Sequence, residues 1–344
     1  MPNLNDAFST FLKNIEVPSD IVEYINKAKT TVRDYLASEL EVFARSQGGD
    51  QSKITPRFFI QGSWAYKTLN YPDQAPPQNM DVDIGAYLPV SYLENKRPSI
   101  AAKEFFAEVD LLLGRLAELN HWKVDRSKNT CTRLILNDRV HFDVPLYSIP
   151  DDDFRELTVA AHKRGLIKDV AGFHDTISDD HVEIWSALPV NRVMLALRDG
   201  DWQESDPRQI HRWFEKELLA KGEQLRRVCR YAKAWRDRLW ERGGPSSIFL
   251  MVLCSQLFKA FDERDDLAFL EVLKQLPMAL LIPVIIPDYD GKDLSERQEP
   301  EDLKLLGVQA LRFSQVLSDA INLDDSDGIL QKKLLGHLGL RFPA

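Results

Sequence analysis

Two aspartates separated by one residue are the pair most able to do chemistry in this chain. Asp81 and Asp83 lie in the segment MDVDIGAYLP, and a third acid, Asp143, follows in HFDVPLY. A β-strand sends alternate side chains to one face, so we expect Asp81 and Asp83 to point the same way. Neighbouring carboxylates repel each other unless a cation lies between them. The three acids therefore predict a site for divalent metal ions.

The chemistry that suits such a site is phosphoryl or nucleotidyl transfer. Two metal ions about 3.5–4 Å apart clamp the attacking and leaving oxygens in these reactions, and Mg²⁺ prefers carboxylate and phosphate oxygens. We expect Asp81 and Asp83 to hold two Mg²⁺ ions, which Mn²⁺ could replace. Asp143 would complete the ion on the attacking side and help deprotonate the incoming hydroxyl. Without further motifs, an Asp-x-Asp pair fits a solvated edge strand better.

A Gly62-Ser63 turn upstream of the aspartates is the motif that favours a metal site over a solvated edge strand. Glycine permits close backbone approach to a phosphate, and the start of a following helix offers free N–H groups. The Ser63 hydroxyl adds a donor. A helix-sized segment separates the turn from Asp81. The turn and the acids together predict a site for metal and a nucleoside triphosphate.

Helices and strands are mixed in the first 200 residues, where these motifs lie. Apolar periodicity predicts helices over 19–45 and 100–119, and strands over 58–60, 81–88, 131–136 and 139–147. Asn137-Asp138 is a two-residue turn signal, so the last two strands form a hairpin. His141, Asp143 and Pro145 share one face of its second strand. The order predicts an α+β fold with a mixed or antiparallel sheet.

The chain beyond residue 200 looks helical. Ser205-Asp206-Pro207 is typical of a helix start, and Gly243-Gly244-Pro245 of a helix end. Further helices are expected over 222–242, after Ser246-Ser247, over 301–322 and over 328–338. We therefore expect two domains, a core over residues 1–200 with a long N-terminal helix and a helical lobe over residues 201–344.

Composition limits which binding partners and which cellular compartment we expect for this protein. The net charge is -9, whereas binding to long nucleic acid normally needs a broad basic surface. Cys131, Cys229 and Cys254 form no Cys-x-x-Cys pair, so neither a zinc site nor a disulfide framework is indicated. No signal peptide is apparent, and the apolar runs are far shorter than the roughly 20 residues of a membrane helix. We expect a cytoplasmic protein that has no membrane partner and is not activated by nucleic acid.

Longer segments around the motifs resemble the bacterial cGAS/DncV-like nucleotidyltransferases. The resemblance rests on QGSWAYKTLN, MDVDIGAYLP and KAWRDRLWERGGPSSIFLM, and the order of Gly-Ser, Asp-x-Asp and a later Asp is that of polymerase β-like nucleotidyltransferases. It implies a two-lobed fold with the active site in the cleft. It also implies synthesis of a cyclic di- or trinucleotide, such as cyclic GMP-AMP from ATP and GTP, in CBASS anti-phage signalling without a nucleic-acid activator. Several relatives carry a further acid where this chain has Ile84.

The same resemblance implies roles for residues outside the three acids. It places Tyr66 near a nucleobase, Arg133 near the acceptor nucleotide and Lys233 at the triphosphate. The nucleotide-binding set implied in full is Gln61, Gly62, Ser63, Tyr66, Lys67, Arg133, Lys233, Ser246 and Ser247. Packing explains Tyr66 equally well, solvent exposure explains Arg133 equally well, and helix capping is the ordinary role of Ser246.

Two further interpretations concern the tail and the reaction class. In related operons a ubiquitin-transfer-like partner conjugates the synthase through a small C-terminal residue, which Ala344 would fit, and an effector is encoded nearby. A frayed terminus is the simpler interpretation of the tail. The alternatives for the reaction are RNA tailing, nucleotidylation of a small molecule such as an antibiotic, or a catalytically silent nucleotide-binding scaffold.

Overall fold

The computed structural model describes residues 3–46, 56–74, 77–89, 98–163, 192–287, 289, 291–323 and 328–343. The chain forms two compact units, each made from separate segments. The sheet unit comprises Ser19–Ala65 and Asp81–Gln209, and the helical unit comprises Met1–Pro18, Tyr66–Met80 and Ile210–Ala344. The expected domain boundary after residue 200 stays a prediction.

An eight-stranded mixed sheet forms the centre of the sheet unit. The strands are β1 (Arg57–Gln61), β2 (Met80–Pro89), β3 (Lys123–Asp125), β4 (Thr132–Ile135), β5 (Val140–Val144), β6 (Leu146–Ile149), β7 (Met194–Ala196) and β8 (Trp202–Glu204). Their order across the sheet is β3-β4-β5-β2-β6-β7-β8, and β1 also pairs with β2. β2 and β6 run parallel, whereas β1–β2 and β4–β5 are antiparallel. The predicted α+β class with a mixed sheet is confirmed.

Helices make up most of the rest of the described chain. They are α1 (Asn5–Asn14), α2 (Ser19–Ser46), α3 (Gly62–Ala65), α4 (Pro98–Asn120), α5 (Asp151–Lys163), α6 (Pro207–Lys221), α7 (Glu223–Leu239), α8 (Ser247–Leu257), α9 (Asp265–Ala279), α10 (Pro300–Asn322) and α11 (Ile329–Leu338), with a 3₁₀ helix at Leu294–Arg297. In the sheet unit, α2 buries Val32 and Leu36, and α4 buries Phe105 and Val109. These positions recur every three or four residues, which puts them on one helix face. None of the described helices is long and apolar enough to cross a membrane.

One predicted strand is two strands in the structure. The segment 139–147 divides at Pro145 into β5, which pairs with β4, and β6, which pairs with β2. Proline has no backbone N–H and cannot continue a ladder as a donor. Its carbonyl still accepts from the Ala86 N–H at 2.9 Å. The break leaves Asp143 near the end of β5, next to the strand that carries Asp81 and Asp83.

Aromatic side chains form the core of the helical unit. The Phe8 ring of α1 lies 5.1 Å from Tyr231 of α7, and Phe269 of α9 lies 5.7 Å from Phe313 of α10, both edge-on. Such pairs add about 0.5–1.5 kcal/mol beyond the area they bury. Helix α1, which sequence periodicity did not predict, is therefore an integral part of this unit.

Candidate active site

The three predicted acids lie together on the sheet unit because of strand pairing. Asp81 and Asp83 are two positions apart on β2, and Asp143 lies on β5, its neighbour in the sheet. Gln61 of β1 pairs with Asp83 on one side, and Arg133 of β4 pairs with Asp143 on the other. The alternation predicted for β2 is thus realised, and the sheet order brings in the third carboxylate.

Arg133 links two of the acids directly. Its Nε donates to Asp143 Oδ1 at 2.7 Å and its Nη2 to Asp143 Oδ2 at 2.8 Å. The same Nη2 lies 3.0 Å from Asp81 Oδ1. A two-point guanidinium–carboxylate pair has strict geometry and is stronger than a single contact. Arg133 is therefore a fixed member of the carboxylate cluster rather than a solvated strand arginine.

Two residues that we had not assigned to the site complete this cluster. Lys128, in the loop between β3 and β4, places Nζ 2.7 Å from Asp143 Oδ2. His141 lies two residues before Asp143, and its Nδ1 is 3.1 Å from Arg133 Nη1. The same Nδ1 lies 3.6 Å from Asp81 Oδ1. His141 was visible in the sequence as a residue on the Asp143 face, whereas no local pattern distinguishes Lys128.

The charges of the cluster act in opposite directions on the two β2 acids. Burial, followed by the negative charges of Asp143 and Asp81, raises the pKa of Asp83 to about 7. Burial also tends to raise the pKa of Asp81, but the contact with His141 and the positive charges of Arg133 and Lys128 outweigh it and bring that pKa below its ordinary value. Asp83 is thus the acid whose negative charge is least well compensated.

The three carboxylates are of the type that binds a divalent cation. In the structure, however, cationic side chains of the protein contact Asp81 and Asp143. In the part of the chain that the structure describes, no group of three or more His, Cys, Asp and Glu side chains is arranged to hold a metal ion. Arg133 and Lys128 contact both oxygens of Asp143. Burial, and after it the negative charges of Asp143 and Asp81, raise the pKa of Asp83, and a bound cation would favour its ionised form. The donor set is the all-oxygen type that Mg²⁺ prefers.

Gly62 lies directly against the Asp83 carboxylate. Its φ of +70° is in the left-handed region, and a Cβ there would be 3.1 Å from Asp83 Cγ and closer still to Asp83 Oδ2. Glycine is therefore required both by the backbone conformation and by the space. The helix expected after the turn is α3, which has only four residues, so its dipole is small. Any phosphate contact there would come from individual N–H groups and the Ser63 hydroxyl.

The three residues around the Gly-Ser turn, Gln61, Tyr66 and Lys67, differ in burial and in their contacts. Gln61 is buried, and its Nε2 donates to the Tyr147 hydroxyl at 3.1 Å. Tyr66 is also buried, and its ring lies 5.8 Å from His211 and 6.0 Å from Phe214. Lys67 is exposed and has a φ of 55°. The surroundings of Tyr66 are those of a packing aromatic, and its predicted base contact stays a prediction.

The predicted phosphate-binding residues of the helical unit form their own group. Lys233 is 3% exposed, and its Nζ donates to the Thr68 carbonyl at 2.6 Å. Ser247 Oγ accepts from Arg236 Nη1 at 3.3 Å. Ser246 caps α8, since its hydroxyl accepts the Phe249 N–H at 3.4 Å. Arg236, one helix turn after Lys233, is a member that we had not assigned to the site. Ala344, the proposed conjugation site, lies outside the described residues.

Burial of Lys233 leads to a testable pH dependence. Burial, followed by the positive charge of Arg236, lowers the pKa of Lys233 from 10.5 to about 7. Between these values the unfolded chain binds a proton that the folded chain does not, so the free energy of unfolding rises with pH by up to about 1.4 kcal/mol per pH unit. We expect Lys233→Met to lose this rise. Urea unfolding at pH 7 and pH 9 measures this change in the free energy of unfolding. Lys123→Met, which replaces an exposed lysine of β3, is the control. If the free energy of unfolding rose equally with pH in both variants, the lowered pKa of Lys233 would be contradicted.

Both halves of the chain match described protein families. Residues 56–147 match "Cyclic GMP-AMP synthase DncV-like, nucleotidyltransferase domain", and residues 222–344 match "Cyclic GMP-AMP synthase, C-terminal domain". The chain is 37% identical over 294 residues to a cyclic GMP-AMP synthase of Vibrio cholerae serotype O1, and 40% identical over 233 residues to one of Escherichia coli. These matches cover 81% and 67% of this chain but 66% and 53% of the two relatives.

Solved structures agree with this result over nearly the whole chain. The crystal structure of Vibrio cholerae DncV cyclic AMP-GMP synthase in complex with the linear intermediate 5′ pppA(3′,5′)pG superposes with a TM-score of 0.81 and 26% identity, covering 99% of this chain and 97% of that one. The apo form of Vibrio cholerae DncV gives a TM-score of 0.75 at 26% identity. The predicted nucleotidyltransferase core with a C-terminal helical domain is thereby confirmed.

Proposed function

Because this chain belongs to the DncV-like cyclic GMP-AMP synthase family of nucleotidyltransferases, we propose that it joins ATP and GTP into a cyclic dinucleotide. The observation that supports this most strongly is the convergence of Asp81, Asp83 and Asp143 on neighbouring strands beside Gly62. Related structures contain the same two nucleotides, since one Vibrio cholerae DncV mutant was solved with ATP and GTP. The family resemblance supports an anti-phage signalling role.

The proposed reaction consists of two nucleotidyl transfers. The 3′ or 2′ hydroxyl of one nucleotide attacks the α-phosphate of the other, forming a new O–P bond while pyrophosphate leaves. The second transfer repeats this step between the free ends and closes the ring, so each ring releases two pyrophosphates. When bound, two Mg²⁺ ions would neutralise the phosphates and make the attacking hydroxyl more acidic. Asp81, Asp83 and Asp143 would hold these ions.

Side chains of the sheet unit would take up the proton and position the reacting groups. Asp143 would take up the proton of the attacking hydroxyl, and Arg133 keeps its carboxylate oriented by two short contacts. His141 lies against both Arg133 and Asp81 and would support their positions. Gly62 leaves the room beside Asp83 that a side chain would fill. In the helical unit, we assign Lys233 and Ser247 to the triphosphate, as the resemblance implies.

The decisive experiment is product identification with the purified full chain. Incubation with ATP, GTP and Mg²⁺ should yield a phosphatase-resistant product with the mass of cyclic GMP-AMP, and two pyrophosphates should be released per ring. Nuclease P1 digestion then reports the linkage. Extension of an added RNA would support the tailing alternative, a phosphatase-sensitive adduct would support small-molecule nucleotidylation, and NTP binding without turnover in Mg²⁺ or Mn²⁺ would support a silent scaffold.

A further inference from the structure

Lys128 is the cation of the carboxylate cluster that is least firmly held. Its side chain is 39% exposed and contacts Asp143 Oδ2 through Nζ. The Arg133 side chain is 14% exposed, contacts both oxygens of Asp143 and also lies against Asp81. Arg133 is therefore fixed by several contacts at once, whereas a single ion pair at a partly exposed position is weak and easily exchanged.

The backbone that carries Lys128 is, by contrast, anchored at several points. Arg198 Nε donates to the Lys128 carbonyl at 3.1 Å, and the Arg198 N–H donates to the Asn129 carbonyl at 2.8 Å. Asn129 Nδ2 donates to Asp199 Oδ2 at 2.8 Å. Arg198 is itself ion-paired with Asp110 of α4 and lies over the Phe106 ring. The loop thus holds the Lys128 backbone in place beside Asp143 while leaving the end of the side chain able to turn.

A flexible ammonium group on a rigid base suits transfer between two anionic partners. An ammonium is a compact point charge with three rotatable donors, which binds carboxylate and phosphate oxygens equally well. A divalent cation on Asp143 would repel a neighbouring Lys128 ammonium, because both carry positive charge. A nucleotide held at the same carboxylates would present phosphate oxygens to which the ammonium group could then donate.

We propose that Lys128 is a positioning residue that holds Asp143 Oδ2, yields this oxygen to a divalent cation, and turns its ammonium group to a substrate phosphate. The second half of this assignment rests on the proposed function, since it takes the substrate to be a nucleoside triphosphate. The two halves have opposite consequences when the charge is removed. Without Lys128, Asp143 loses a competitor of the cation, and the nucleotide loses a contact.

The test measures two affinities of the full-length protein that need no turnover. Mn²⁺ binding without nucleotide, followed by electron paramagnetic resonance, should become about 2–5-fold tighter in Lys128→Met, as expected for a weak competing ion pair. Binding of a non-hydrolysable GTP analogue with Mg²⁺, followed by calorimetry, should become about 2–5-fold weaker in the same variant. Lys128→Arg keeps the charge and should shift both affinities much less. Lys123→Met, which removes an exposed lysine of β3, should change neither.

The opposite changes in Mn²⁺ affinity and nucleotide affinity distinguish a positioning role of Lys128 from a purely structural one. If Lys128 only stabilises the fold, Lys128→Met would weaken both affinities together and lower the melting temperature, and the proposal would be wrong. Unchanged affinities in that variant would also overturn it. If both affinities shift as expected but no cyclic product forms from ATP and GTP, the proposed function fails while the assignment of Lys128 stands.

Discussion

Replacing Asp81 and Asp83 together by asparagine should lower the rate of cyclic product formation by about 1,000-fold or more, since removal of one group that stabilises transition-state charge already costs about 100–1,000-fold. Asparagine has nearly the same shape as aspartate, so the substitution removes the two negative charges and little volume. The rate of pyrophosphate release and chromatography of radiolabelled product measure the loss. Product formation at near the wild-type rate would rule out Asp81 and Asp83 as the metal-holding pair.

The pH dependence of stability tests the charge of Asp83 separately from activity. The pKa of Asp83 is raised to about 7, so the folded protein loses stability as the pH rises from the ordinary aspartate value of 3.8 through 7 and this acid ionises. An asparagine cannot ionise, so Asp83→Asn alone should melt at a higher temperature than the wild type at pH 8, and the difference should shrink at pH 5.

Asp138→Asn, in the exposed turn between β4 and β5, is the matched control for activity and should leave product formation unchanged.

Alanine at Gly62 should lower kcat/KM by about 100-fold or more, because misplacing a catalytic group by about 1 Å can cost this much. A Cβ at this position would collide with the Asp83 carboxylate, with Asp83 Cγ only 3.1 Å away. The carboxylate would have to rotate or shift away from Asp81 and Asp143. The left-handed backbone adds a cost of about 1–2 kcal/mol to stability. Steady-state kinetics and urea unfolding measure the two effects separately.

Gly328→Ala separates backbone strain from displacement of the carboxylate. Gly328 also has a left-handed conformation, with φ 63° and ψ 20°, but nothing lies within 4 Å of the Cβ that it would acquire. This variant should lose a similar amount of stability and keep its activity. If Gly62→Ala kept its activity as well, contact with Asp83 would not be what makes glycine necessary before Ser63.

Elements with a long amphipathic repeat could be predicted from the sequence because their pattern is local. Helix α2 was expected over 19–45 and spans Ser19–Ser46, and α4 was expected over 100–119 and spans Pro98–Asn120. The chemistry could be predicted for a similar reason. Asp81 and Asp83 share a strand, and alternation alone determines that they share a face. The choice of Asp143 as the third acid came from family resemblance and the isolated position of an acid among apolar strand residues.

Features that depend on distant parts of the chain did not show in the sequence. Helix α1 has its apolar partners more than 200 residues away, at Tyr231 and Phe269, so its packing could not be expected from its own sequence. The strand expected over 139–147 divides at Pro145 because β6 pairs with β2, not with β4. Packing and a base contact explained Tyr66 equally well from the sequence, and only the structure shows that its ring is buried in the helical unit.

The sequence by itself determined which groups can do chemistry: three carboxylates, a Gly-Ser turn and a set of cations whose types match nucleotidyl transfer. Only the tertiary structure decided how those charges are compensated. Strand order sets Asp143 beside β2, and the anchored loop before β4 brings Lys128 within 2.7 Å of it. Electrostatic interaction depends on distance and burial rather than on separation along the chain. Residue types therefore predicted the reaction, whereas the burial and the negative charges that raise the pKa of Asp83 could be known only from the fold.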